Sequence, residues 1–216
     1  MLAPVSVSSG AAVAMVEVRD MNGDSINDIV ELNSTAQQVS VLLGNSDGSF
    51  QAGINSAAGG GGTKMASADF NHDGNVDLVT VEGYQIDLLK GNGDGSFQAP
   101  VAYYASAYPN DIDVGDINND GLEDVFTASF SYGGTTQLFI NDGLGGFLPS
   151  HNLAIGPTGL QIEGADVNGD GNLDLVQSNG GGWYAVLVGH GDGTFVSAAT
   201  QNIGMTSQDL KVAGFN

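Results

Sequence analysis

Cysteine is absent from this 216-residue chain, which excludes disulfide staples and thiolate chemistry. Basic residues are almost absent: Arg19, Lys64, Lys90 and Lys211 stand against 25 acidic ones, for a formal charge of −21. Phosphate binding needs clustered Lys and Arg, so nucleic acid is excluded as a partner, and an anionic membrane surface with it. No run approaches the ~18 apolar residues of a membrane span. Residues 1–16 lack the basic start of a signal peptide, so any export signal is expected to be removed or not included. Helical periodicity is missing as well: the apolar runs are short and rich in Val, Ile and Leu.

What the chain does contain is glycine, 34 residues, and a nine-residue acidic loop repeated four times. The copies are DMNGDSIND (20–28), DFNHDGNVD (69–77), DINNDGLED (116–124) and DVNGDGNLD (166–174), at steps of 49, 47 and 50 residues. A fixed period of this size marks one supersecondary unit used repeatedly. Twelve of the 25 acidic residues are aspartates of these loops, so much of the acidity reads as ligand inventory.

Each loop sits between two strand-length runs. Ahead of it come Val13–Val18, Asp111–Val114 and Gln161–Ala165; behind it come Ile29–Leu32, Leu78–Val81, Val125–Ala128 and Leu175–Gln177. A third run follows (Val39–Gly44, Ile86–Gly91, Thr136–Asn141, Tyr184–Gly189), then a Gly/Asp turn ending at Phe50, Phe97, Phe147 or Phe195, then a fourth run such as Gln98–Tyr104. Asp-Gly between apolar runs is a strong hairpin signal. The unit is therefore strand A, acidic loop, strand B, loop, strand C, Asp-Gly turn, strand D. Four antiparallel strands per ~48 residues are the blade of a β-propeller. The predicted fold is all-β: a single β-propeller-type array of four-stranded antiparallel blades, four complete repeats plus partial units at both termini. The expected blades are approximately 10–58, 59–106, 107–156 and 157–202, with partial units 1–9 and 203–216. Antiparallel geometry puts A–B loops and C–D turns at one end of each blade, B–C and D–A loops at the other. In the last partial unit Gly214 takes the place of Asp166, and homo-association or continuation in a longer chain is expected.

Oxygen donors at positions 1, 3, 5 and 9 around a tight turn are what a hard cation such as calcium needs. The side-chain candidates are Asp20, Asn22, Asp24 and Asp28; Asp69, Asn71, Asp73 and Asp77; Asp116, Asn118, Asp120 and Asp124; Asp166, Asn168, Asp170 and Asp174. Position 7 (Ile26, Asn75, Leu122, Asn172) would add a backbone carbonyl. Position 6 is Gly74, Gly121 and Gly171 in three loops and Ser25 in the first, which is therefore expected to be strained and weakest. Asx turns between strands would use the same residue types, although four copies in register favour the metal. Glu31 at position 12 imitates an EF-hand, but Thr80, Thr127 and Gln177 replace it elsewhere and the flanks are strands.

The D-x-N-x-D-G-x-x-D loop followed by L-L-G-N-x-D-G-[ST]-F resembles the FG-GAP/VCBS repeat of integrin alpha-chain propellers, secreted bacterial proteins and some fungal lectins. The resemblance covers essentially the whole chain. It implies calcium (Ca2+) at about four sites in the A–B loops. It also implies ligand binding mostly by the D–A and B–C loops or in pockets between blades.

Little points to catalysis. Gly44–Gly48 matches the G-x-S-x-G elbow, yet the same turn reads GNGDG and GHGDG in other repeats, so Ser46 is a hairpin residue. His72, His151 and His190 fall in unrelated repeat positions, and Glu82, Asp87 and Glu163 are isolated carboxylates. Aromatics are more informative: Tyr84, Tyr132, Trp183 and Tyr184 follow strand B in three successive units, where rings either pack on a neighbouring blade or stack on a pyranose. Asn33-Ser34-Thr35 is a glycosylation sequon. The expected protein is no enzyme but a calcium-stabilised extracellular recognition or adhesion module, secreted or at the cell surface, for carbohydrate or a cell-surface protein. The alternatives are a structural repeat of a larger assembly and an accessory domain of a secreted enzyme.

Overall fold

The structure, a computed structural model, describes residues 13–129, 135–154, 159–179, 181–202, 204 and 210–212. The partial unit 1–9 and Tyr132 lie outside the described residues, as does most of 203–216. Among the described residues there are sixteen strands and no helix. They form four separate sheets, each of four strands consecutive in the chain.

The first sheet is β1 (Val13–Arg19), β2 (Asp28–Asn33), β3 (Gln38–Leu42) and β4 (Ile54–Ala57). The second is β5 (Lys64–Ala68), β6 (Asp77–Glu82), β7 (Gln85–Leu89) and β8 (Val101–Tyr104). The third is β9 (Pro109–Gly115), β10 (Asp124–Ser129), β11 (Thr135–Phe139) and β12 (His151–Ala154). The fourth is β13 (Gly159–Ala165), β14 (Asp174–Asn179), β15 (Trp183–Gly189) and β16 (Phe195–Asn202). The registers that define them are antiparallel, for example Val30 opposite Glu17 and Val41, and Phe126 opposite Asp113 and Leu138.

Strand position explains the composition of each run. The second strand of every sheet is covered on both faces, so β10 and β14 are buried at every residue and their apolar runs are nearly continuous. The fourth strand is an edge, and β4 and β8 alternate between half-buried and exposed or are mostly exposed.

Contacts group the chain into two compact units: residues up to Glu82 with Ile86–Ala102, and Gly83–Gln85 with Tyr103 onward. In the first unit Val30, Leu32, Val39, Val41 and Leu43 pack with Met65, Leu78 and Leu89. Polar stitches join its two inner strands: Arg19 Nη1 donates to Ser67 O and Oγ at 2.7 Å, and the Ser67 hydroxyl donates to Glu17. In the second unit Phe126, Ala128 and Leu138 pack with Ile162, Leu175 and Leu187. There Asp111 and Asp113 each accept a backbone N–H, from Ile162 and Gly164, at 3.0 Å. Burial pushes the Asp113 carboxyl above the usual range, although the Gly164 and Val114 N–H groups oppose it. The inner strands are thus stitched sheet to sheet by carboxylates that accept backbone or hydroxyl protons.

Candidate functional site

The four acidic loops have one bond pattern. The first aspartate folds the loop over itself: Oδ2 accepts the N–H of position 6, with Asp20–Ser25 at 2.7 Å, Asp69–Gly74 at 2.9 Å, Asp116–Gly121 at 2.8 Å and Asp166–Gly171 at 2.9 Å. The position-5 aspartate accepts the N–H of position 7: Asp24–Ile26, Asp73–Asn75, Asp120–Leu122 and Asp170–Asn172, at 2.8–2.9 Å. The position-3 amide of Asn22, Asn71, Asn118 and Asn168 donates to that same carboxylate. These are Asx turns, and they bring the side-chain oxygens of positions 1, 3 and 5 onto one short loop.

Position 6 has a left-handed backbone in all four copies, φ 86° at Gly74, 85° at Gly121, 87° at Gly171 and 68° at Ser25. The strain expected of the first loop is therefore present, since Ser25 carries a Cβ where the others have none. Position 4 is left-handed too, and His72 (φ 55°) and Asn119 (φ 57°) occupy it without being glycine. The D-G dipeptide announces position 6; nothing in the sequence announces position 4.

The ninth residue is different. Asp28, Asp77, Asp124 and Asp174 are fully buried. Each accepts one N–H from position 2 (Met21, Phe70, Ile117, Val167) at 2.8–3.2 Å. Each accepts a second from the end of the third strand (Gly44, Gly91, Asn141, Gly189) at 2.7–2.9 Å. One carboxylate thereby pins the acidic loop to the C–D turn of its sheet. The cost appears in the titration. Desolvation, offset by the Asn141 and Ile117 N–H groups and aided by repulsion from Asp120 and Asp116, pushes Asp124 up to about 6. Asp77 is raised for the same reasons, with Asp73 and Asp69 as the repelling charges. Asp166 moves the other way, held down chiefly by the Gly171 N–H.

The side-chain donor set of each loop is oxygen only, which suits a hard divalent cation. The repulsion of Asp124 by Asp116 and Asp120 is of the sign a cation would relieve. Among the described residues no three His, Cys, Asp or Glu groups converge as a tight cage.

At the opposite end of the sheets the loops diverge. In the fourth sheet Trp183 and Tyr184, with Gln177, Ser178, Asn179, Ala185 and Thr200, line a cavity of ≈230 Å³. Trp183 is 42% exposed, and its backbone N–H and that of Gly181 donate to Asn179 Oδ1 at 3.0 and 2.9 Å. An exposed indole beside amide and hydroxyl groups offers both an apolar face and hydrogen-bond partners. Tyr84 is 56% exposed and meets Tyr108 edge-on at 5.6 Å. Tyr108 was not among the sequence candidates, because it lies in the D–A connection, where no repeat position flags an aromatic. The remaining sequence candidates take structural places. Glu82 accepts the Gly61 N–H at 2.9 Å, and Glu163 pairs with Lys211 at 2.9 Å. Ser46 lies in the hairpin turn and is exposed. Asn33 of the sequon is buried and accepts the Ala36 N–H at 2.9 Å, so its amide caps a turn instead of facing solvent.

The sequence model of the FG-GAP-like repeat matches residues 20–80, 69–127 and 116–177. No curated protein sequence matches the chain. Among solved structures, a lectin of Agrocybe aegerita that recognises non-reducing terminal N-acetylglucosamine is similar over 85% of this chain and 50% of its own, at 20% identity and a TM-score of 0.62. BBS1N, crystallised with ARL6DN, is similar over 91% of this chain and 58% of its own, at 11% identity and a TM-score of 0.64. The V. cholerae biofilm matrix protein Bap1 is similar over 83% of this chain and 27% of its own, at 21% identity and a TM-score of 0.53. The chain thus spans less than two thirds of each of these proteins. At such identities the likeness is one of fold: separate four-stranded antiparallel sheets in a β-propeller-like arrangement.

Proposed function

This chain belongs to the FG-GAP-like repeat family, and on that premise we propose that it is a non-catalytic, calcium-stabilised module for extracellular recognition or adhesion, with carbohydrate as its ligand. The observation that carries the carbohydrate reading is the ≈230 Å³ cavity with Trp183 at its mouth. Its size suits a single hexose unit. The indole face takes the apolar side of a pyranose, and Ser178, Asn179 and Thr200 supply neutral hydrogen-bonding groups for its hydroxyls. The N-acetylglucosamine recognition of the Agrocybe aegerita protein and the matrix role of Bap1 support this class of function. Calcium belongs to the other end: in this reading Asp20, Asp69, Asp116 and Asp166 and their loop partners hold one ion each, and the ions brace the loops without touching the ligand.

The test is a glycan array probed in millimolar calcium, followed by titration of the best ligand against the Trp183→Ala variant. Binding that falls at least tenfold with unchanged folding supports the reading. An array blank for the intact, calcium-loaded protein removes it. In that event the better reading is a structural repeat of a surface assembly, in keeping with the likeness to a biofilm matrix protein.

A further inference from the structure

The sheet-to-sheet junction at the acidic-loop end occurs once inside each compact unit, and the two copies are built differently. In the first unit the C–D turn of the second sheet lies directly on the outer strands of the first. A Cβ on Gly95 would stand 3.1 Å from Leu43 Cδ2 and 3.3 Å from both Ile54 Cδ1 and Val41 Cγ1. Phe97 is buried, and its N–H donates to Ser56 Oγ at 3.0 Å. The junction is filled, with the Ile54 side chain packed against that core.

In the second unit the same repeat positions leave a cleft of ≈540 Å³. Gly193 replaces Gly95, but among the described residues a Cβ there would meet only Asn118 Cβ, at 3.9 Å. His151 stands where the first unit has Ile54, and its imidazole is exposed. Phe195 is only half-buried and opens β16 directly, whereas Phe97 makes an isolated bridge four residues before the start of β8. Leu138, Ile140, Leu153 and Phe195 form an apolar floor, and His151 and Asp192 stand among the polar groups around it.

The filled junction indicates what would occupy the open one, since an aliphatic side chain seated against Leu138 and Ile140 would repeat the packing of Ile54 on Val41 and Leu43. The lining adds a charge preference. Among the described residues it contains the Asp192 carboxylate and no Lys or Arg, on a chain of net charge −21. Asp192 Oδ1 accepts the Thr194 N–H at 3.0 Å and its hydroxyl proton at 2.5 Å, which holds the carboxylate ionised at the rim.

We propose that the cleft between the third and fourth sheets is a docking site for a peptide segment of a partner protein that presents an aliphatic side chain next to a basic residue. This site is distinct from the Trp183 cavity and does not depend on the carbohydrate reading.

The test uses the full chain in calcium and three probe peptides: acetyl-Lys-Ile-Lys-amide, acetyl-Lys-Ser-Lys-amide and acetyl-Glu-Ile-Glu-amide, followed by NMR shift perturbation. The Lys-Ile-Lys peptide is expected to bind at least tenfold more tightly than either control and to shift the resonances of Leu138, Leu153 and Phe195. His151→Ile, which refills the cleft from within, is expected to abolish that binding and to raise the melting temperature. Asp192→Asn is expected to reduce the preference for Lys-Ile-Lys over Glu-Ile-Glu at least threefold while leaving the preference for Ile over Ser. Equal affinity for the three peptides overturns the proposal. So does undiminished binding to a folded His151→Ile variant. If that variant fails to fold, the Asp192→Asn result decides: an unchanged ratio overturns the proposal.

Discussion

The two ends of these sheets obey different rules. At the A–B end four loops of different sequence repeat the same hydrogen bonds, down to the buried ninth aspartate that accepts two backbone N–H groups. At the B–C and D–A end the described loops differ: one carries Tyr84 against Tyr108, another a Trp183 cavity, another the Gly59–Gly62 run. The difference follows from what each end must satisfy. A turn held by its own side chains through repeated bonds to its N–H groups tolerates few replacements, whereas a loop held mainly at its strand ends is free to vary. In the function proposed above, the calcium that braces the fold sits at one end and the Trp183 cavity at the other, so perturbations of the loops and of that cavity should have separable effects.

The largest effect expected is that of calcium itself. An ion bound only by the folded chain adds RT ln(1 + [L]/Kd), about 2.7 kcal/mol per site at a hundredfold excess over Kd. Chelation should lower the melting temperature markedly, and calcium should restore it far better than magnesium. An unchanged melting curve after removal verified by metal analysis would take calcium away from this end altogether.

Next in size is Asp124→Ala, which strands the buried N–H groups of Ile117 and Asn141. Each unsatisfied group costs about 1–3 kcal/mol, so a loss of about 2–6 kcal/mol is expected for the two. Trp183→Ala, at the other end, should stay within about 1 kcal/mol in the same urea titration. Similar losses for the two variants would break the comparison.

A smaller effect concerns pH. Asp124 titrates at about 6 in the fold against 3.8 for a free side chain, because of its burial. The folded chain therefore keeps a proton that the unfolded chain has released, and stability of the calcium-free protein falls as pH rises from about 4 to about 6. Carboxylates that the fold depresses, such as Asp166, lose their contribution below the ordinary value and so act in a lower window. Urea melts in chelator at pH 4.5 and 6.5 should show the decline, and Asp124→Asn should reduce it. Calcium, which needs the ionised form, should reverse its sign.

The smallest effect sharpens the comparison within the uniform end. Ser25→Gly removes a Cβ from a residue at φ 68° and should stabilise the protein by about 1 kcal/mol, while Gly74→Ser, at φ 86°, should cost about as much. Thermal melts of the two variants and the metal affinity of the first loop check this. Equal stability in all three proteins would mean that the first loop carries no strain.

Much of this is legible in the sequence alone. The 49-, 47- and 50-residue steps, the short Val/Ile/Leu runs and the Asp-Gly turns specify strands, order and pairing, because period-2 burial and turn chemistry are local properties. The left-handed sixth residue was readable for the same reason, since only glycine takes that backbone freely. Three things were not. The ninth aspartate reads as one more ligand, and only packing reveals that it is buried and pins two backbone segments that are far apart in sequence. Asn33 reads as a glycosylation acceptor, yet tertiary packing turns its amide inward. In the sequence the Ile54-to-His151 exchange between repeats is an ordinary substitution. Its consequence, a filled junction in one unit and an open cleft in the other, depends on which side chains face each other across two sheets. The sequence by itself determined the repeat, the strands and the chemistry of the loops, because these follow from bonds between near neighbours. Only the tertiary structure decided which carboxylates are buried and where apolar surface is left uncovered, because burial is a property of what packs on top.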